Sequence, residues 1–211
     1  YVKVGTPEIA GYTPDKSVVD EPTLRTNQEV TVTYTANSAK ALVKFIDNTD
    51  NRTLAQLELP GKTGETIDFG TANAKLNSYL DGGYKLVANG IPTTETKFDT
   101  SDDTKGPSQV FVVKLDHDTV TVTPENPVNP GDKINKNVPD SPTYTSDQAT
   151  VTEDHTLTVH YVGAPKNPAD NLQKSHWTRE VTIDKVTGET ISSTAWVTKD
   201  SYVKVETPEI A

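Results

Sequence analysis

Apolar and polar residues alternate along several short stretches, the period of β-strands with one wet face. Val2-Lys3-Val4 alternates briefly, and Glu29–Thr35 places Val30, Val32 and Tyr34 on one side. Ala41–Asp47 and Thr53–Leu59 predict two further strands, joined by the turn residues Asn48-Thr49-Asp50-Asn51 and ended at Pro60-Gly61. After Ile67-Asp68-Phe69 the period changes. Ala72, Leu76, Tyr79 and Leu80 share one helical face, Thr71 is placed to cap the start, and Gly82-Gly83 ends the run. Tyr84–Val87 and Gln109–Leu115 then predict strands again. Two strands, a helix and two strands within one stretch predict a β-grasp arrangement, a helix lying across a mixed sheet.

Beyond residue 117 the alternation returns as Thr119–Thr123, Thr156–Tyr161, Arg179–Asp184 and Thr190–Thr198. Val186-Thr187-Gly188-Glu189 is expected to turn the last two into a hairpin. Between Thr123 and Tyr144 lie Pro124, Pro127, Pro130, Pro139 and Pro142, read as an ordered, turn-rich connector. Threonine outward and valine inward predicts antiparallel strands solvated on one face.

Composition agrees with this picture. Threonine (33 residues) and valine (23) dominate, and both are β-branched. Leu, Ile, Val and Phe together make only 46 of 211 residues, so thin layers are expected rather than a deep core. The net charge of −10 argues against a nucleic-acid partner, and no apolar run is long enough for membrane insertion. With no cysteine there are no disulfides, thiolate metal sites or cysteine nucleophiles; with no methionine and Tyr1 first, an excised piece of a longer protein is expected.

The two ends are near copies. Tyr1–Ala10 reads YVKVGTPEIA and Tyr202–Ala211 reads YVKVETPEIA, nine of ten residues identical at an offset of 201. Such self-similarity predicts a tandem array with adjacent repeats head to tail. In an array, the equivalent of residues 11–37 should come directly after Ala211. Residues 1–37 are therefore expected to be the closing strands of a domain from the preceding repeat, 38–117 a β-grasp domain, and 118–211 a connector and the opening strands of the next domain. Residues 1–37 would then complete the second domain of another copy.

No GxSxG, HExxH, P-loop or dinucleotide fingerprint is present, so the chain is not expected to be an enzyme. His155 and His160 are five apart on strand-like sequence and point to opposite faces, which disfavours a shared metal. Asp99, Asp102 and Asp103 crowd one loop, and Asp47 and Asp50 another. Hard oxygen ligands at this spacing suit Ca2+, while the bland alternative is a set of turn carboxylates. Trp177, Tyr144 and Tyr161 are the candidate ligand-binding residues, since aromatic faces suit the C–H-rich faces of sugars. Trp196 shares that chemistry, against the alternative that it anchors a thin core.

The words from His176-Trp177-Thr178-Arg179-Glu180 through Gly188-Glu189 to Trp196, with Pro7-Glu8-Ile9-Ala10-Gly11-Tyr12-Thr13-Pro14-Asp15, resemble the mucus-binding (Mub, MucBP-type) repeats of surface proteins of lactic acid bacteria. Ala41–Asp47, Leu59–Gly64, Tyr79–Val87 and Phe98–Leu115 resemble the other domain of that repeat. The resemblance implies a ubiquitin-like β-grasp domain beside a second, mainly antiparallel β domain. It also implies a non-catalytic adhesin, extracellular and cell-wall-anchored on a Gram-positive bacterium, with mucin glycans or glycoproteins as partners and immunoglobulin binding within the family. The other reading is a structural spacer that projects a different binding domain from the cell wall.

Overall fold

The computed structural model describes residues 2–21 and 26–209; Tyr1, Ile210 and Ala211 of the duplicated word lie outside it. Contacts divide the chain into two units, residues 1–80 with 85–116, and residues 81–84 with 117–211. The protein is mostly β.

In the first unit the leading segment pairs with itself. β1 (Val4–Gly5) runs antiparallel to β3 (Val18–Val19), and β2 (Tyr12–Pro14) to β4 (Tyr34–Ala36). The strand expected over Glu29–Thr35 is thus reduced to its last residues and shifted. Pro14 ends its partner, and the next contacts come from Asp15, whose backbone and carboxylate both bond Thr33. Asn37 joins this leading segment to the larger sheet, donating to the Gly11 carbonyl and accepting from Thr63 N–H.

Next comes the hairpin β5 (Ser38–Asp47) and β6 (Arg52–Lys62), then α1 (Gly70–Asp81), β7 (Tyr84–Asn89) and β8 (Gln109–His117). The sheet order is β6-β5-β8-β7, with β5 antiparallel to β6 and parallel to β8. Pleating brings Ala39, Ala41, Val43, Phe45 and Asp47 to one buried face of β5, and Val113 and Leu115 of β8 join it. Ala72 and Leu76 are the buried positions of α1, and Tyr79 packs its ring 5.5 Å from that of Phe45.

Two local expectations change. Pro60-Gly61 does not end β6, because β6 is an edge strand and Pro60 needs no outward N–H there. Gly61 is required by close approach instead: a Cβ there would lie 2.1 Å from the Phe98 ring. Nor does Thr71 cap α1. The Asp68 carboxylate accepts the Gly70 N–H at 2.8 Å, leaving Thr71 inside the first turn.

Asp47 is the polar pivot of this unit. Its side chain is fully buried and accepts from the amides of Thr49 and Asp50 and from Arg52 Nε at 3.1 Å, closing the turn in which Asn51 takes φ 52°. The carboxylate thus supplies, inside the core, the partners that the tight turn lacks.

The second unit contains two three-stranded antiparallel sheets. β9 (Thr119–Val122) leads into the proline-containing segment, which is ordered by hydrogen bonds between its two arms: Tyr144 donates to Asp132, Gly131 to Tyr144, and Ile134 to Pro142. A single helical turn, α2 (Ser146–Ala149), follows under a capping box in which Thr145 and Gln148 bond each other's amides. Next are β10 (Thr152–Val159), β11 (Asn171–Thr178), β12 (Val181–Asp184), β13 (Thr190–Ser193) and β14 (Val197–Thr198). The sheets are ordered β13-β12-β9 and β10-β11-β14. Val122, Ile134, Tyr144, Val151, Val181 and Ile183 form the core beside β9 and β12. Buried Gln148 donates to the Gly188 carbonyl and Thr190 Oγ1, tying α2 to the β12–β13 hairpin.

The expected Thr190–Thr198 strand is divided between the sheets: β13 pairs with β12, while β14 pairs with β11. The hairpin at Val186–Glu189 is present, with Asp184 accepting from the amides of Val186 and Thr187. The same carboxylate meets His117 Nδ1 at 2.6 Å. Gly83 bonds Asp118 nearby with φ 98°, and a Cβ would strike the Lys185 backbone at 2.7 Å.

Asp47→Ala is expected to lower stability by about 2–4 kcal/mol, because the buried carboxylate that ties the Thr49 and Asp50 amides and Arg52 to the sheet is removed and leaves a void; urea unfolding measures it. A second expectation concerns pH. Burial alone would raise the Asp184 pKa, but hydrogen bonds from His117, Thr187 and Val186 outweigh it and hold the group below 3.8. Its folded pKa is depressed, so its stabilisation is present above the unfolded value and is lost as pH falls through the folded one. Thermal melts between pH 5 and pH 2, run on wild type and Asp184→Asn, should show the acid loss attenuated in the variant.

Candidate functional site

The antiparallel register of β10 and β11 assembles a site that no single stretch of sequence contains. Glu153 lies opposite Trp177 and His155 opposite Ser175, so all four project from one face of the sheet. Trp177 is paired on its other side with Thr198 of β14, and Trp196, two residues earlier, reaches the same face. Tyr202 completes a cleft of about 280 Å3 lined by Glu153, His155, Trp177, Trp196 and Tyr202.

The aromatic rings are fixed by polar contacts. Trp177 Nε1 donates to Ser175 Oγ at 3.0 Å, and Ser175 Oγ also meets the Tyr202 hydroxyl at 3.0 Å. One buried serine therefore positions two rings. His155 stands edge-on to Trp177 with centroids 6.5 Å apart, and its Nε2 meets Glu153 at 3.2 Å. The Arg179 guanidinium lies 4.8 Å from the centre of the Trp196 ring. Arg179 is itself held by the carbonyls of Thr150 and Asp147 and the Asp147 carboxylate. Half-buried indoles beside hydrogen-bonding edges can stack on an apolar ring face while binding its hydroxyls.

The other aromatic candidates are elsewhere. Tyr144 is in the β9–β12 core, where burial raises its pKa. Tyr161 lines a separate groove with Asp170, Leu172, Lys174, Val203 and Val205. Only Trp177 of the three candidates enters the cleft. Glu153 and His155 carried no signal in isolation, and Tyr202 was visible only as part of the duplicated word.

The carboxylates of Asp99, Asp102 and Asp103 face amides of their own surroundings. Asp99 accepts from Ser101, Asp102 from Thr104, and Asp103 from Lys40 and Ser108. The Thr104 bonds hold Asp102 below the usual carboxylate range. Burial opposes this at Asp103, but its amide partners prevail in the same direction. Their oxygens do not converge within 4.8 Å as a three-residue cluster. Each histidine meets an acid: besides His117 and His155, His160 meets Asp170 and His176 meets Asp154.

Residues 39–117 match the family model described as a mucin binding domain, and residues 1–38 and 146–211 match the one described as a Muc B2-like domain. The chain belongs to the mucus-binding repeats. Only residues 118–145 fall outside the two matches. Among solved structures, the crystal structure of Mub-RV is similar with 25% identity and a TM-score of 0.50, over 78% of this chain and 75% of that one. The type 2 repeat of the mucus binding protein MUB from Lactobacillus reuteri is 29% identical, with a TM-score of 0.44 over 75% of this chain and 74% of that one. No curated protein matches. Mucus-binding repeats are adhesin modules of the extracellular surface and not an enzyme family. Among the described residues no helix is long and apolar enough to cross a membrane. In this repeat, the cleft lies wholly within the second Muc B2-like match.

Arg179→Ala is expected to free the Trp196 ring, remove one cap from α2 and cost about 1–2 kcal/mol. Greater acrylamide quenching of tryptophan emission in the folded variant would report the first effect, and urea unfolding the second.

Proposed function

We propose that this mucus-binding repeat holds mucin glycans non-catalytically in the Trp177–Trp196–Tyr202 cleft. The carrying observation is the convergence of three aromatic side chains, fixed by Ser175 and Arg179, on one face of the β10–β11–β14 sheet. Sugar rings stack by their C–H faces on such rings, while Glu153 and His155 meet hydroxyls at the edge. A shallow cleft of this size takes one or two sugar rings, so each copy binds weakly.

Tandem copies would then gain through effective concentration. The duplicated word supports a head-to-tail array, as does a single family model matching both 1–38 and 146–211. In that array, residues 1–37 close the domain of the preceding repeat and 118–211 open the next. Display is from the cell wall of a Gram-positive bacterium, and contact with immunoglobulin would use the glycans that such proteins carry.

Binding of the intact chain and of a multi-repeat array to immobilised mucin, before and after enzymatic glycan removal, tests the reading. Trp177→Ala with Trp196→Ala is expected to weaken binding at least about tenfold while circular dichroism stays unchanged. EDTA is expected to leave binding intact, because the Asp99–Asp103 loop supplies nothing to the cleft. Arrays that ignore mucin altogether would point to a spacer instead.

A further inference from the structure

β14 covers only one end of its neighbour. It pairs with Trp177 and Thr178, and among the described residues no strand continues along the β11 edge beyond them. His176 identifies that edge, since its N–H is given to the Asp200 carboxylate at 2.7 Å. Backbone groups of alternate residues point the same way, so Lys174 and Leu172 turn theirs to this edge as well. Tyr202-Val203 does not pair with them as a strand: the Gln173 side-chain amide holds both the N–H and the carbonyl of Val203. A groove of about 730 Å3 remains between Leu172, Lys174 and residues 201–208. Backbone groups left open at a sheet edge are a template for one more strand.

The leading segment carries a strand that fits. Asp15 bonds the carbonyl and N–H of Thr33, and Lys16 bonds the Thr31 carbonyl, so Thr31 and Thr33 face β2. By the same alternation Val30 and Val32 turn their backbone groups away from β2, and Val30 is 52% exposed. Resting on the head-to-tail reading above, we propose that the open edge of β11 is an interface between copies of this chain. Glu29–Thr35 of a second copy adds to it as the next strand, through the backbone groups of Val30 and Val32 on one side and Leu172 and Lys174 on the other. One family model matches both 1–38 and 146–211, so the two open edges belong to two parts of one domain. In an array, the equivalent of Glu29–Thr35 follows the very word that Ser175 and Gln173 hold at Tyr202-Val203. The side chains agree too. Val30, Val32 and Tyr34 share one face, which suits the more covered face of Gln173 and Ser175, and this sends Glu29, Thr31 and Thr33 to the face of Lys174. Each copy carries one donor and one acceptor edge, so the contact is heterologous and needs no third component.

Sedimentation of the intact chain is the test, with the weight-average mass expected to rise at least about twofold between about 1 and 100 μM. Val32→Pro removes the outward N–H of the donor strand and Lys174→Pro that of the acceptor edge, while the N–H groups bonded to β2 and β10 belong to the alternate residues. Each variant alone, folded by circular dichroism, is expected to stay monomeric. An equimolar mixture of the two is expected to form a 1:1 dimer, because one still offers the edge and the other the strand. Recovery on mixing cannot come from misfolding; a mixture that stays monomeric would sink the pairing. A peptide of residues 27–37 is expected to dissociate the wild-type oligomer, and an equal effect of a scrambled peptide would overturn Glu29–Thr35 as the occupant. Hydrogen exchange of the Leu172 and Lys174 amides in a two-repeat chain, against a dilute single copy, separates this joint from the array reading. Protection there with monomeric single copies would leave the array standing and remove the joint between separate chains. No protection would remove the strand assignment itself, and mucin binding by arrays would still decide the glycan reading.

Discussion

Pleating sends successive side chains to opposite faces of a sheet, and this chain has too few large apolar residues to cover both faces. The rest of the architecture is a response to that shortage. Alternate residues of β5 and β8 in one unit, and of β9 and β12 in the other, are spent on a buried layer, and intervening positions such as Lys40, Lys114, Thr119 and Thr121 are left to water. With so little apolar surface in each layer, buried polar groups take over part of the task of fixing the fold. Asp47 closes the β5–β6 turn, Asp184 closes the β12–β13 turn, and Gln148 fastens α2 to the same hairpin. Each is a polar side chain that bonds backbone groups of a turn or hairpin and so holds it in place.

The β10–β11–β14 sheet shows the limit of this economy. Its more covered face carries Asn171, Gln173 and Ser175 in line with Trp177, and its cover comes from Trp196 and the Tyr202-Val203 segment. Gln173 bonds both the N–H and the carbonyl of Val203, so a side-chain amide stands in for a neighbouring strand. A sheet covered this sparsely leaves its aromatic side chains half-exposed. The feature that makes it a poor core makes it a good platform.

This also decides what was legible in the sequence. Ala41–Asp47, the Asn48–Asn51 turn and the helical face of Ala72, Leu76 and Tyr79 were readable because burial follows the period of each element there. β11 escaped notice because the inward positions Asn171, Gln173 and Ser175 are polar, which erases the alternation on which strand assignment depends. The break within Thr190–Thr198 was invisible for a different reason: local propensity favours a strand throughout, and only tertiary pairing sends its two ends to different sheets. Trp177 was recognisable by residue type alone. Its neighbours were not, because Glu153 and Tyr202 are separated from it by 24 and 25 positions and meet it only through antiparallel register and the Ser175 hydroxyl.

The parallel ladder at the centre of the first unit has a mechanical meaning. The first strand of that sheet, β5, and its last, β8, lie side by side and point the same way from Ala41–Gln109 to Asp47–Leu115. Tension applied to the start of one and the end of the other runs along the strands and across their hydrogen bonds. The bonds are then sheared together instead of being peeled one by one, and the load is divided among them. In the head-to-tail array proposed above, a pull on the two ends of this domain would load the sheet in that direction.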